Sequence, residues 1–107
     1  MKTVIKLSLA VLAFALVFCT FSTAQDTGAN LFKAKCAMCH GPDGKGNTAM
    51  GKKFGLKDLG SAEVQKMSDA DLSKTITDGK DKMPSYKGKL TDAQIDSLVK
   101  YIRTLKK

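Results

Sequence analysis

The stretch Cys36-Ala37-Met38-Cys39-His40 places two thiols and an imidazole side by side, and His40 is the only histidine in the chain. On a helix, residues three apart lie on the same face. Cys36 and Cys39 can therefore address one flat object at two points. His40 follows directly and can turn its ring toward the centre of that object. A haem meets this demand. Its two vinyl groups take up the thiols as thioethers, and its iron takes the imidazole from one side. C-x-x-C-H is the attachment signature of covalent c-type haem.

Other chemistries fit less well. A thioredoxin-like C-x-x-C needs a βαβ context, and no useful β alternation occurs in the chain. A structural zinc site needs four ligands, whereas Cys36, Cys39 and His40 supply three, with no second Cys/His pair. A disulfide between Cys36 and Cys39 would close a very small loop and staple little tertiary structure. A chance cluster in a surface loop would not explain why so small a domain carries such long loops.

Those loops appear once the elements around the motif are read. Leu31, Phe32 and Cys36 fall at helical spacing, so a short helix is expected over Gly28 to Cys39. Pro42 and the glycines at 41, 44 and 46 mark a turn. Asn47 to Gly60 reads as loop, with Phe54, Leu56 and Leu59 as apolar pegs. Ser61 caps a short turn running to Met67, and Ser68-x-x-Asp71 opens a helix that Gly79 ends. Residues 80–89 are loop. Thr91-x-x-Gln94 is a capping box, followed by an apolar stripe of Ile95, Leu98, Val99, Ile102 and Leu105. The expected fold class is all-α, with helices and long loops that need something to pack around.

The chain has 107 residues, enough for one domain. It opens with Lys2 and Lys6, an apolar run from Leu7 to Phe21, and small residues at Ser22 and Ala24. This is the layout of a signal peptide. Residues 1–24 are expected to be cleaved, leaving 25–107 as the domain, periplasmic or otherwise exported. The alternative is an uncleaved membrane anchor, for which the run is shorter than the ~20 residues that span a bilayer. Cys19 falls within the removed segment. The remaining 83 residues keep all ten acidic side chains and 16 of 18 basic ones, a formal charge of +6. Domains this small often need a staple, and a covalent cofactor would serve.

With its motifs in view, the chain resembles the small class I c-type cytochromes, the single-haem electron carriers. The resemblance rests on CAMCHGPDGKG, on ITDGKDKMPSYKGKLTDAQIDSLVKYIRTL and on the spacing between them, and it covers the whole mature chain. It implies a cytochrome c fold wrapped around one haem c, bound covalently through Cys36 and Cys39. It implies His40 as the proximal iron ligand and Met83, in a Met-Pro loop, as the distal one. It also implies that Gly28 and Phe32 on the first helix pack against Leu98 and Tyr101 on the last. Among the other methionines, Met38 lies between the thiols, Met67 reads as core, and Met50 is the next candidate after Met83. Pro84 rigidifies the loop and biases Met83 toward an extended conformation. The chain departs from the family in lacking both a tryptophan and a proline about ten residues after the motif. That leaves a carbonyl of the Pro42 to Gly46 loop to accept the proximal imidazole N–H. Tyr86 or a lysine is the candidate contact for the haem propionates.

Two axial protein ligands leave iron no open position, which suits electron transfer rather than catalysis. The expected function is a one-electron carrier between redox proteins. The alternative, if Met83 does not bind iron, is a haem-binding subunit, a small haem enzyme or a gas-binding protein. Lys33, Lys35, Lys80, Lys82, Lys87 and Lys89 flank the motif and the Met loop, so partners with acidic docking surfaces are expected. Nucleic acid is not, because the lysines show no aromatic interleaving. A monomer without stable membrane insertion after cleavage completes the expectation.

Overall fold

The computed structural model describes residues 27–107. The expected leader and its cleavage site lie outside them. Six helices follow one another: α1 (Gly28–Lys35), α2 (Ala37–His40), α3 (Ala49–Phe54), α4 (Ala62–Gln65), α5 (Asp69–Asp78) and α6 (Asp92–Thr104). No strand occurs among the described residues; the nearest thing is an isolated bridge between Lys80 and Met83. No helix among them is long and apolar enough to cross a membrane.

Side-chain caps open five of these helices. Thr27, Thr48, Ser61, Ser68 and Thr91 each accept a backbone N–H from the first turn of α1, α3, α4, α5 and α6. At α6 the box is reciprocal: Gln94 N–H donates to the Thr91 hydroxyl at 3.1 Å and Thr91 N–H to Gln94 Oε1 at 2.8 Å. The caps anticipated at Ser61, Ser68 and Thr91 are present. Two expectations need correction. The first helix does not run unbroken to Cys39 but is interrupted at Cys36, whose φ of −117° separates α1 from α2. Residues 47–60 are not all loop, because α3 lies among them. Only Gly51 of α3 is buried, so the helix shows no apolar stripe to betray it. Its signals are end signals: Thr48 caps it, and Gly55 ends it in the left-handed region at φ 64°.

The core is where α1 crosses α6. Phe32 and Leu98 are each only 1% exposed, and the Phe32 and Tyr101 rings meet at 5.1 Å, tilted by 43°. Gly28 allows the crossing. A Cβ there would lie 2.9 Å from both the Ser97 carbonyl carbon and Tyr101 Cβ, and closer still to the Ser97 carbonyl oxygen. The α6 stripe is buried at Ile95, Leu98, Val99 and Ile102, while Leu105 at its end is only half-buried. Leu72 and Ile76 of α5 and Val64 of α4 complete the cluster.

Arg103 fixes the remaining corner. It pairs with Asp69 at 2.8 Å and donates to the Gln65 carbonyl at 3.1 Å and the Met67 carbonyl at 2.6 Å. Gln65 in turn donates to the carbonyls of Leu59 and Ile102, at 2.8 and 3.0 Å. The α4–α5 junction is thereby tied to α6 by polar groups that no hydrophobic pattern reveals.

Candidate haem site

A cavity of about 320 Å³ opens beside this core, with a lining that is mostly apolar. Cys36, His40 and Met83 all line it, brought together from the break between α1 and α2, from α2 and from the loop after α5. Cys39 is half-buried but outside the lining. Phe32, Leu72, Ile76, Leu98 and Ile102 present the core to the cavity, so the space is walled by the elements that hold the fold together.

Cys36 and Cys39 are free thiols. Burial, reinforced by the neighbouring Cys39, pushes the Cys36 thiol up to about 11. A reactive redox pair needs the opposite shift, a thiol lowered into the range where thiolate forms. This environment therefore does not suit dithiol exchange. Among the described residues no three His, Cys, Asp or Glu side chains gather as a metal-ion site, so the zinc alternative finds no ligand set. Burial lowers the His40 pKa, which keeps the imidazole neutral and its lone pair available to a metal.

His40 Nδ1 is buried and has no hydrogen-bond partner among the described residues. The acceptor expected from the Pro42 to Gly46 loop is not supplied. The loop instead folds back through its amides: Gly46 N–H donates to the His40 backbone carbonyl at 2.7 Å, and Gly44 N–H to the Gly41 carbonyl at 3.0 Å, while the Gly44 carbonyl accepts Leu59 N–H at 2.9 Å. The motif is braced instead from α3. The Thr48 hydroxyl donates to the Cys39 carbonyl at 2.6 Å while accepting Gly51 N–H at 2.8 Å. Thr48 is a positioning residue that no periodic pattern in the sequence marks.

Of the four methionines among the described residues, Met83 and Met67 line the cavity. Met38 is 82% exposed and Met50 38% exposed, and neither lines it. The loop carrying Met83 is held at both ends. Lys80 and Met83 exchange backbone hydrogen bonds, at 3.1 and 2.8 Å, around Asp81, whose φ is 52°. Gly79 enters the loop at φ 77°, where a Cβ would sit 2.6 Å from the Met83 carbonyl oxygen. Beyond Pro84, the Ser85 hydroxyl donates to Thr77 at 2.7 Å, and Tyr86 N–H to Ile76 at 3.2 Å. Tyr86 does not offer its hydroxyl to the cavity as anticipated. It donates to the Lys35 carbonyl at 2.8 Å, pinning the Met loop to the end of α1. Among the lysines, Lys57, Lys80 and Lys82 do reach the cavity lining.

Residues 23–102 match the family described as cytochrome c oxidase, cbb3-type, subunit III. Cytochrome c6 of Porphyra purpurea is 34% identical over 104 residues, covering 91% of this chain and 92% of its own. The cbb3-type oxidase subunit FixP of Azorhizobium caulinodans is 37% identical over 83 residues, 77% of this chain but only 27% of its own length. Among solved structures, the KustC0563 c-type cytochrome superposes with a TM-score of 0.71 at 35% identity, over 76% of this chain and 99% of its own.

The chain belongs to the c-type cytochromes. Its fold is the all-α cytochrome c fold, its cofactor is covalent haem c, and it is an electron carrier and not an enzyme. The residues of this cytochrome fit that cofactor. They provide two thiols, a neutral imidazole, two thioethers and an apolar wall.

Proposed function

We propose that His40 is the proximal and Met83 the distal ligand of a single haem held through Cys36 and Cys39, in a carrier that is exported after removal of residues 1–24. One observation carries this reading: Cys36, His40 and Met83 line one apolar cavity. Bound haem supplies a one-electron iron couple. The protein's part is to hold that group, exclude water from it and leave it little freedom to rearrange. The neutral His40 ring and the braced Met83 turn suit fixed axial positions. A thioether is a soft donor, and His/Met ligation raises the reduction potential.

The partners are redox proteins, as the cytochrome c6 and cbb3-oxidase names of the relatives suggest. In this reading they present acidic docking surfaces to the lysines of the motif and Met loop. The test is the visible spectrum, oxidised and reduced, of protein made in a host that attaches haem. Low-spin c-type bands and the weak Met–Fe(III) band at the red end are expected. A high-spin spectrum without that band would overturn the closed His40/Met83 site and favour a ligand-binding protein.

A further inference from the structure

A haem is an apolar ring with two propionate carboxylates on one edge, and a carboxylate drawn out of water is costly unless it is paired. The cavity that would take such a group shows a matching division. Phe32, Leu72, Ile76, Leu98 and Ile102 give it a buried apolar wall. Four charged side chains also line it: Lys57, Lys80, Asp81 and Lys82. Three of these are consecutive, in the turn where Lys80 and Met83 exchange backbone hydrogen bonds. Charge is thus gathered on the segment that presents Met83.

A carboxylate needs a donor, and three candidate donors are engaged elsewhere. The Tyr86 hydroxyl donates to the Lys35 carbonyl at 2.8 Å. Thr75 also lines the cavity, but its hydroxyl donates to the Asp71 carbonyl at 2.9 Å. Lys57 Nζ pairs with Glu63 Oε1 at 2.7 Å. Lys80 and Lys82 form no ion pair with another described residue. Both are exposed as well as cavity-lining, which puts them where the cavity meets solvent. Asp81 between them opposes an anion, but two positive charges against one negative leave the turn attractive to one. Lys87 and Lys89, further along the loop, do not line the cavity and stay available to partners.

We infer that Lys80 and Lys82 are the partners of the haem carboxylates, so that the turn presenting Met83 is held to the cofactor by charge. The inference deepens the carrier reading; it rests on the covalent haem of that reading and not on its iron ligands. Ammonium groups beside the carboxylates offset negative charge that would otherwise favour Fe(III), so they raise the reduction potential. Asp81 acts in the opposite sense.

The test uses holoprotein whose haem carries 13C at its propionate carboxyls. Redox-induced infrared difference spectra report the carboxylates, and a redox titration reports the potential. In Lys80→Gln/Lys82→Gln the labelled carboxylate bands are expected to shift. The reduction equilibrium constant should fall about threefold, or ~28 mV at 59 mV per tenfold for one electron. Asp81→Asn should move the potential upward, and Lys80→Arg/Lys82→Arg should keep the parental potential. Lys33→Gln, exposed on α1 and outside the lining, is the control for surface charge, with bands expected to stay. Lys57 is the rival, because its exposed pair with Glu63 is weak. Carboxylate bands unmoved in the double glutamine variant, or moved only by Lys57→Gln, would overturn the inference. The weak Met–Fe(III) band judges the iron ligands separately. Its absence from the parent would sink the Met83 assignment and leave the labelled bands to decide on the lysines.

Discussion

Replacing Gly28 by alanine sets two forces of opposite sign against each other. Helix propensity favours alanine over glycine by about 1 kcal/mol in a helix interior, and less at a first turn. Packing opposes it. The added methyl would lie 2.9 Å from the Ser97 carbonyl carbon and Tyr101 Cβ, nearer than real Cβ contacts come, and nearer still to the Ser97 carbonyl oxygen. Overpacking typically costs about 1–3 kcal/mol, and here the obstacle is backbone, which no rotamer change relieves. The α1–α6 crossing must open, and it is the crossing that buries Phe32 and Leu98. We expect a net loss near 2 kcal/mol. At roughly 4–8 °C per kcal/mol for a domain of this size, the melting temperature should fall by about 8–16 °C. The assay is thermal unfolding of the holoprotein followed by far-UV circular dichroism. Because the clash is with a carbonyl, Ser97→Ala should not rescue the variant. Gly55→Ala is the contrast: nothing lies within 4 Å of its Cβ position, so only the left-handed φ of 64° opposes the change, at about 1–2 kcal/mol. A Gly28→Ala protein as stable as its parent, or more so, would refute the crossing argument.

Further outcomes follow from the Met loop and the motif. Asp81→Gly should be neutral or slightly stabilising and Asp81→Val should lose about 1–2 kcal/mol in denaturant unfolding, because Asp81 sits at φ 52°. Tyr86→Phe removes the hydrogen bond to Lys35 and should lower stability by about 0.5–1.5 kcal/mol, with the weak Met–Fe(III) band lost at lower temperature than in the parent. The Cys36→Ser/Cys39→Ser apoprotein should be largely unfolded by circular dichroism, since nine buried apolar residues form the whole core of the described chain and six of them line a cavity. A cooperative native-like melt would contradict that.

How far the site could be read in advance depended on which physical signal carried each part. Cys36, Cys39 and His40 are adjacent in sequence, so their joint chemistry needed no fold. Met83 was singled out by Pro84 and its charged neighbours, and it does line the cavity, half-buried against the core. The α6 stripe repeats at helical spacing and is buried from Ile95 to Ile102, and the box at Thr91 and Gln94 and the cap at Ser68 stand where they were read. What escaped was organised by backbone groups. Helix α3 buries only a glycine and announces itself through Thr48 and Gly55 alone. Thr48 also braces the Cys39 carbonyl, a contact across nine residues that no periodicity encodes. Tyr86 was placed near the haem by type, yet its hydroxyl is taken by Lys35, fifty-one residues away. The acceptor for His40 was sought in the Pro42 to Gly46 loop, whose carbonyls do not meet the buried Nδ1.

Two methionines line the cavity, and the structure gives them unlike settings. Met67 follows α4, with its N–H on Val64 at 3.0 Å and its carbonyl held by Arg103 at 2.6 Å. Its backbone is anchored to α6, and its half-buried side chain packs on the core. Met83 closes a four-residue turn that Gly79, Asp81 and Pro84 shape, and its side chain, like that of Met67, is half-buried against the core. A thioether serving as filler should be worth transfer and cavity energy; one serving as ligand should be worth a spectroscopic band and a potential. Met67→Ala is therefore expected to lose about 2 kcal/mol, at the low end for truncation of a methionine in a core, while keeping the weak red band and the potential. Met83→Ala is expected to lose the band and to lower the potential, because a soft ligand that favours Fe(II) is gone. Paired spectra and redox titrations of the two variants decide it. If the band survives in Met83→Ala and vanishes in Met67→Ala, the roles are exchanged, and the braced turn around Asp81 needs a different purpose.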